Sequence, residues 1–258
     1  MAGYIELSYL DLLIATLLVV MAGAISVALR LGLVKTLSWA AVRCVVQLGM
    51  IGVVLKYIFD LNTPWLVLGW LLVMLFFASR EVVRRSKRRY SGIRLDAFIT
   101  MSVAAIVVGV IVTQAVIKVR PWYDPQYLIP IFGMLFGNSL NGICLGLDRF
   151  LEHLRSRRQE VELLLAFGAT RSEALRQAFR ESVRTGMIPI INNMSVAGVV
   201  SLPGMMTGQI VAGVSPMQAV AYQIVIMFMI AAANAVGSMT IVWLAGRKML
   251  GDYGLTGR

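Results

Sequence analysis

Charge is what this sequence has least of. Only 14% of its 258 residues are Asp, Glu, Lys or Arg, against 59% hydrophobic, where a soluble domain is about 25% charged and about half apolar. With a mean hydropathy of +0.79, the composition excludes a soluble enzyme and a disordered chain. Cysteine is nearly absent. Cys44 and Cys144 both sit inside apolar runs with no Cys-x2-Cys or Cys/His cluster, so they read as small packing residues and exclude a disulfide scaffold. The single histidine, His153, lies outside the apolar runs, and Asp11 is the only acid inside one. No metal site is visible, and no cofactor is expected. The chain has no Gly-x4-Gly-Lys-Ser/Thr, so it cannot cradle nucleotide phosphates itself. Nor is a cleavable signal expected, because the first apolar run starts near Leu7 without a basic flank and is as long as a full crossing.

What the sequence does have is long apolar runs, and about 20 such residues make one helical crossing. Leu7–Leu29, Leu37–Phe59, Pro64–Ser79, Ala97–Ile117 and Leu128–Leu147 each supply one, the third borrowing a turn at its ends. Thr185–Gly246 is 62 residues without a single Asp, Glu, Lys or Arg. That is two crossings joined by a turn at Gly213-Val214-Ser215-Pro216. The expected fold is an all-α polytopic membrane protein of about seven spans, forming one domain over 1–258.

The net charge of +11 then reads as a topology signal rather than a nucleic-acid footprint. With loops alternating in side, Arg30, Lys35, every base from Arg80 to Arg94, every base from Arg149 to Arg184, and Arg247, Lys248 and Arg258 share one face. Only Lys118 and Arg120 fall on the other. The amino terminus is expected outside and the carboxyl terminus in the cytoplasm.

One segment on the basic face, 148–185, is more than a loop. Asp148–Ala166 carries Leu151, Leu154, Val161 and Leu165 between charges, the pattern of an amphipathic helix. Gly168 follows where a helix end needs positive φ. Thr170-Arg171-Ser172-Glu173 matches a capping box, in which Thr170 and Glu173 satisfy each other's free amides. A second helix therefore starts at Arg171 and runs into the sixth span. Three readings compete for this elbow: a solvated connection, a DNA-reading helix-turn-helix, or a docking element for a partner. The second is disfavoured because both helices continue into spans.

Glu162-Leu163-Leu164-Leu165-Ala166-Phe167-Gly168-Ala169-Thr170 resembles the coupling motif of ABC-transporter permeases, a Glu followed six residues later by Gly-Ala. Three further stretches resemble the bacterial iron-export permease family (FetB-type), to which plant aluminium-resistance permeases are related. They are Trp39 to Phe59 with Arg43 and Gln47, Ile129 to Asn138, and Val200 to Gly208 (Leu-Pro-Gly-Met-Met-x-Gly) with Ala221-Tyr-Gln223 downstream. The resemblance runs from the second span onward. It implies a bacterial inner-membrane permease, not itself an enzyme, that forms a homodimer, couples to two copies of a cytoplasmic ABC ATPase and exports iron. Glu162, Gly168, Ala169 and Thr170 would make the ATPase contact. Membrane lipid surrounds the spans, and no nucleic-acid partner is implied.

Candidates for a pathway are fewer. Arg43 and Gln47 are four apart and share a helix face; at that depth a guanidinium costs several kcal/mol unless paired or hydrated, so it lines a pathway or locks neighbouring spans. Leu202–Gly208 interrupts a helix in an uncharged stretch, with Pro203 and Gly204 as the breakers, and reads as a gate or as a kink. Met205 and Met206 beside it offer thioethers, which suit Cu(I) better than iron and equally well fill gaps. Asn192 and Asn193 are pathway or packing residues. The rival readings are an ATP-independent transporter or channel, an ABC permease for another substrate, or a membrane scaffold. Few titratable groups in the spans argue against proton coupling.

Overall fold

The computed structural model describes residues 8–252. Among them the helices are α1 (Tyr9–Ala28), α2 (Val34–Leu61), α3 (Pro64–Arg85), α4 (Ile93–Ala104), α5 (Pro125–Ser156), α6 (Arg158–Ala166), α7 (Arg171–Val196), α8 (Gly204–Val211) and α9 (Pro216–Asp252). Two π-helical stretches, Ala105–Gly109 and Ile111–Val116, carry α4 onward. Six helices are long and apolar enough to cross a bilayer: Leu10–Ala28, Val34–Leu61, Pro64–Arg85, Ile93–Val116, Pro125–Ser156 and Pro216–Met249. The protein is a multi-pass all-α membrane protein.

The expected sixth crossing takes a different form. The first half of α7 carries Arg171, Glu173, Arg176, Arg180, Glu181 and Arg184, so only residues 185–196 are free of charge, about 18 Å of helix. The chain then unwinds, winds the short α8, and turns at Gly213 (φ +91°) into α9. That last turn lies where the sequence placed it.

The chain divides into two compact units, Met1–Asn62 with Val211–Gly213, and Thr63–Ile210 with Val214–Arg258. In the first, α1 packs on α2, and nearly every side chain on both helices is left uncovered by the chain. Asp11, expected as an acid within a span, belongs to the helix start. Its carboxylate accepts from the Ser8 amide (2.8 Å) and its own amide donates to the Ser8 hydroxyl (3.3 Å), a capping box that satisfies two otherwise free amides.

In the second unit α5, α7 and α9 pack mutually, with α3 and α4 alongside. Lipid is as apolar as leucine, so close approach and dispersion hold these helices together. Small residues permit that approach. A Cβ added at Gly186 on α7 would lie 2.8 Å from the Gly142 carbonyl on α5, and one at Gly142 2.6 Å from the Gly186 carbonyl. Asn234 and Ser238 on α9 fill the remaining space beside these glycines. Cys144 is buried, its thiol 3.6 Å from the Val82 carbonyl, and Cys44 is exposed; both are free.

Candidate functional site

The elbow is built from three helical pieces. Asp148–Ser156 is the end of α5, not the start of a separate helix, and Arg157 (φ −116°, ψ 32°) breaks the chain before α6. This corrects the single amphipathic helix expected over Asp148–Ala166: the apolar positions hold their period, but Leu151 and Leu154 are buried on α5 and Val161 on α6. Inside α6 Arg158 pairs with Glu162 at 2.6 Å.

The turn after α6 has the geometry that its sequence encodes. Gly168 has φ +88°. Its amide donates to the Leu165 carbonyl and the Ala169 amide to the Leu164 carbonyl, both at 3.0 Å. These paired bonds form a Schellman motif, which closes the helix with a left-handed residue at C′. The Thr170 amide donates to the Glu173 carboxylate (2.7 Å), as does the Thr170 hydroxyl (2.6 Å), and the Glu173 amide returns to the Thr170 hydroxyl (3.4 Å). These donors, the Thr170 hydroxyl first, hold the Glu173 carboxyl below its ordinary value.

An apolar apex accompanies the first cap. Phe167 is 81% exposed, with Leu163 and Leu164 also exposed, amid Arg157, Arg158, Glu160 and Glu162. Phe167 stands inside the same motif as the expected contact residues Glu162, Gly168, Ala169 and Thr170. An aromatic beside a glycine turn on a charged segment was the available signal.

Acidic residues that no local sequence signal marks tie the elbow to the spans. Glu181 on α7 accepts from Arg149 (2.9 Å) and Gln177 (3.1 Å) and stands 3.5 Å from His153. These donors, Gln177 first, hold its carboxyl below the ordinary value. Asp148 accepts from the Ser86 hydroxyl and the Lys87 amide, both at 3.0 Å, and Arg88 pairs with Glu152 and donates to the Leu151 carbonyl (3.2 Å). Asp96, 1% exposed, holds Lys248 of α9 at 2.6 Å and accepts from Tyr90 at 2.8 Å. Burial first, and Asp96 second, push the Tyr90 phenol above its usual range. The Arg80–Arg94 region, the elbow base and the end of α9 therefore lie together at one end of the second unit.

At the far end of α7 are the pathway candidates. Asn192 and Asn193 are exposed on its last turn. The break is earlier than its expected position at Leu202–Gly208. The helix stops at Val196, Gly198 turns left-handed (φ +85°), and α8 starts at Gly204. Gly204, Met205, Met206 and Gly208 are thus helical, and Pro203 precedes the first turn, where its missing N–H costs nothing. The freed backbone pairs locally: the Gly198 amide donates to the Ser201 carbonyl (2.8 Å), and the Val200 and Ser201 amides to the Val196 carbonyl (3.0 and 3.2 Å). Arg43 and Gln47 lie exposed on α2 in the first unit, and Arg43 makes no ion pair among the described residues. Nor, among the described residues, do three or more His, Cys, Asp or Glu gather as a metal-binding set.

The chain matches the family described as "Uncharacterised protein family (UPF0014)" over residues 9–250. It is 36% identical over 225 residues to the UPF0014 membrane protein slr1647 of Synechocystis, covering 86% of each chain. The probable iron export permease protein FetB of Escherichia coli is 35% identical over 240 residues, 92% of this chain and 90% of that one. The protein ALUMINUM SENSITIVE 3 of Arabidopsis thaliana is 30% identical over 231 residues, 89% and 83% of the two chains. No solved structure matches significantly.

Proposed function

Given that this chain belongs to the UPF0014 family of membrane proteins, we propose that it is the permease subunit of an ABC transporter that exports iron across the bacterial plasma membrane. A relative that matches nearly its whole length is named as a probable iron export permease. The observation that carries the coupling half of the reading is the elbow. Two caps fix a turn that leaves Phe167, Leu163 and Leu164 exposed, an apolar knob in a charged segment, and Glu181 of α7 ties its base to α5. Such a knob suits an apolar cleft on a cytoplasmic partner, here a separate ATPase, in two copies for a permease homodimer.

Motion has a continuous route inward. The 26 residues of α7, about 39 Å of helix, run from the Thr170 cap to Asn192, Asn193 and the turn at Gly198, with Pro189 inside the helix removing one backbone bond. A displacement of the elbow by ATP-driven closure would be carried along α7 toward that turn, with Pro189 as the place where the helix can bend. Gating falls to the segment from Gly198 to Pro203 and Gly204, with Met205 and Met206 behind it. We assign a lining role to Asn192 and Asn193, and separately to Arg43 and Gln47 on α2. Iron is cargo, so no resident ligand set is required.

The direct test is photo-crosslinking from position 167 to a cytoplasmic ABC ATPase that co-purifies with the permease. A crosslink that ATP modulates supports the reading; none from Phe167, Leu163 or Glu162, with the ATPase still bound, overturns the elbow as the contact. Orientation is tested with Ser91→Cys and Thr63→Cys in a Cys44→Ser/Cys144→Ala background. An impermeant thiol reagent added to intact cells should label Thr63→Cys, and labelling of Ser91→Cys alone would invert the topology.

A further inference from the structure

Among the described residues, three arginines of the α3–α4 hairpin make no ion pair with an acid. Glu81 is engaged by Arg84 (3.5 Å) and Arg85 (3.0 Å), Glu152 by Arg88, and Asp96 by Lys248 (2.6 Å). Asp148 is occupied by Ser86 and Lys87. Among the described residues no ion pair includes Arg80, Arg89 or Arg94. All three, with Arg84, line one cavity of about 730 Å3 between α3 and α4, whose lining also includes the exposed rings of Phe76 and Phe98. That volume is within the range of about 300–1,000 Å3 common for small-molecule sites.

The order of residues along the two helices is the informative feature. On α3, Phe76, Arg80 and Arg84 stand four apart and share one face. On α4, Arg94 and Phe98 are likewise four apart. The helices are joined by the 86–92 loop and run in opposite directions, so both place their arginines toward the loop and their phenyl rings deeper along the span. Arg89, from the loop itself, joins the lining. The cavity is therefore graded, guanidinium at the rim and aromatic surface below, along the direction in which a membrane passes from head group to acyl chain. Guanidinium forks hold phosphate oxygens in pairs, and basic pockets between spans at the polar boundary suit anionic head groups.

We propose that this groove is a binding site for one anionic glycerophospholipid, its phosphate held by Arg80, Arg89 and Arg94 and an acyl chain laid on Phe76 and Phe98. A bound lipid would bridge α3 and α4 beside the loop that Asp148 and Glu152 tie to the elbow. The site rests on the membrane character of the chain and is independent of its substrate.

Native mass spectrometry of the detergent-purified full chain tests it, with dioleoyl phosphatidylglycerol and dioleoyl phosphatidylcholine titrated in parallel. The wild type should retain one phosphatidylglycerol in preference to phosphatidylcholine by at least about tenfold in Kd. Arg80→Gln/Arg89→Gln/Arg94→Gln should abolish that preference. Arg30→Gln/Lys35→Gln/Lys87→Gln, which removes equal charge elsewhere, should keep it. Equal loss in both variants, or no preference in the wild type, overturns the site; the wild-type comparison needs no variant to fold. Millimolar inorganic phosphate should leave the lipid in place, and Phe76→Ser/Phe98→Ser should weaken it. Displacement by phosphate, with no effect of the phenyl changes, would make this a site for free phosphate and refute the lipid. Capture of the ATPase by the groove, abolished by the triple Gln variant while lipid retention is unchanged, would refute it as well.

Discussion

Replacing Gly168 by Asn, Ala and Val tests the elbow turn by its backbone alone. The residue sits at φ +88°, and a Cβ built there meets nothing within 4 Å. Any cost is therefore torsional and not steric crowding. An L-residue in the left-handed region costs about 1–2 kcal/mol; Asn tolerates it best, and β-branched Val worst. Because α6 buries only Val161, the cost should appear as local opening and not as global unfolding. A penalty of about 1 kcal/mol for Ala is about fivefold in the opening constant, and about 2 kcal/mol for Val about thirtyfold. Hydrogen exchange at the Gly168 and Ala169 amides, which bond to Leu165 and Leu164, reads that constant directly. Protection should fall in the order Gly, Asn, Ala, Val, and retention of the ATPase should follow the same order while the permease still inserts. Wild-type protection in the Val variant would refute the left-handed turn; ATPase retention indifferent to the series would refute its coupling role.

Further outcomes follow from the same contacts. The Glu173 carboxyl is lowered from the ordinary value of 4.5 by its bonds from Thr170, so its stabilising effect is complete at neutral pH and disappears as pH falls through the depressed folded value. Protection of the first turn of α7, corrected for intrinsic exchange, should show that acid dependence, and Glu173→Gln should abolish it. Lys248→Met leaves the buried Asp96 carboxylate with Tyr90 alone and should cost about 3 kcal/mol, read by thermal unfolding in detergent. Asp96→Asn should cost less, because Lys248 is partly exposed and can reach solvent; the reverse order would contradict the pairing. Gly186→Ala forces α7 away from the Gly142 carbonyl and Ser238, with an expected loss of about 1–3 kcal/mol; an unchanged unfolding midpoint would show that the helices can separate without cost.

The elbow was legible because its signals are local: a glycine at C′ and a Thr-x-x-Glu box act through backbone groups within a few residues. The spans were legible from run length, with ends displaced where polar residues continue a helix beyond the apolar core, as Arg80 to Arg85 do on α3 and Asp148 to Ser156 on α5. The break lies ahead of the expected Leu202–Gly208 because position, and not residue type, decides which proline or glycine interrupts a helix. Pro203 fits the residue before a helix, and the residue that turns the chain is Gly198. The tethers at Asp96, Asp148, Glu152 and Glu181 were invisible because their partners lie far along the chain, 152 residues apart for Asp96 and Lys248. A count of basic residues as topology markers gives no reason to pair them.

Purified permease and a co-purifying ABC ATPase, reconstituted into vesicles with Fe2+ and an iron-sensitive fluorophore on opposite sides, give the most direct test of ATP-driven iron export. Iron movement should require both subunits and ATP. Gly168→Val, with Phe167→Ala beside it, should abolish transport while the ATPase alone still hydrolyses ATP. Iron crossing at the same rate without the ATPase, or undiminished in those two variants, would contradict ATP-driven export.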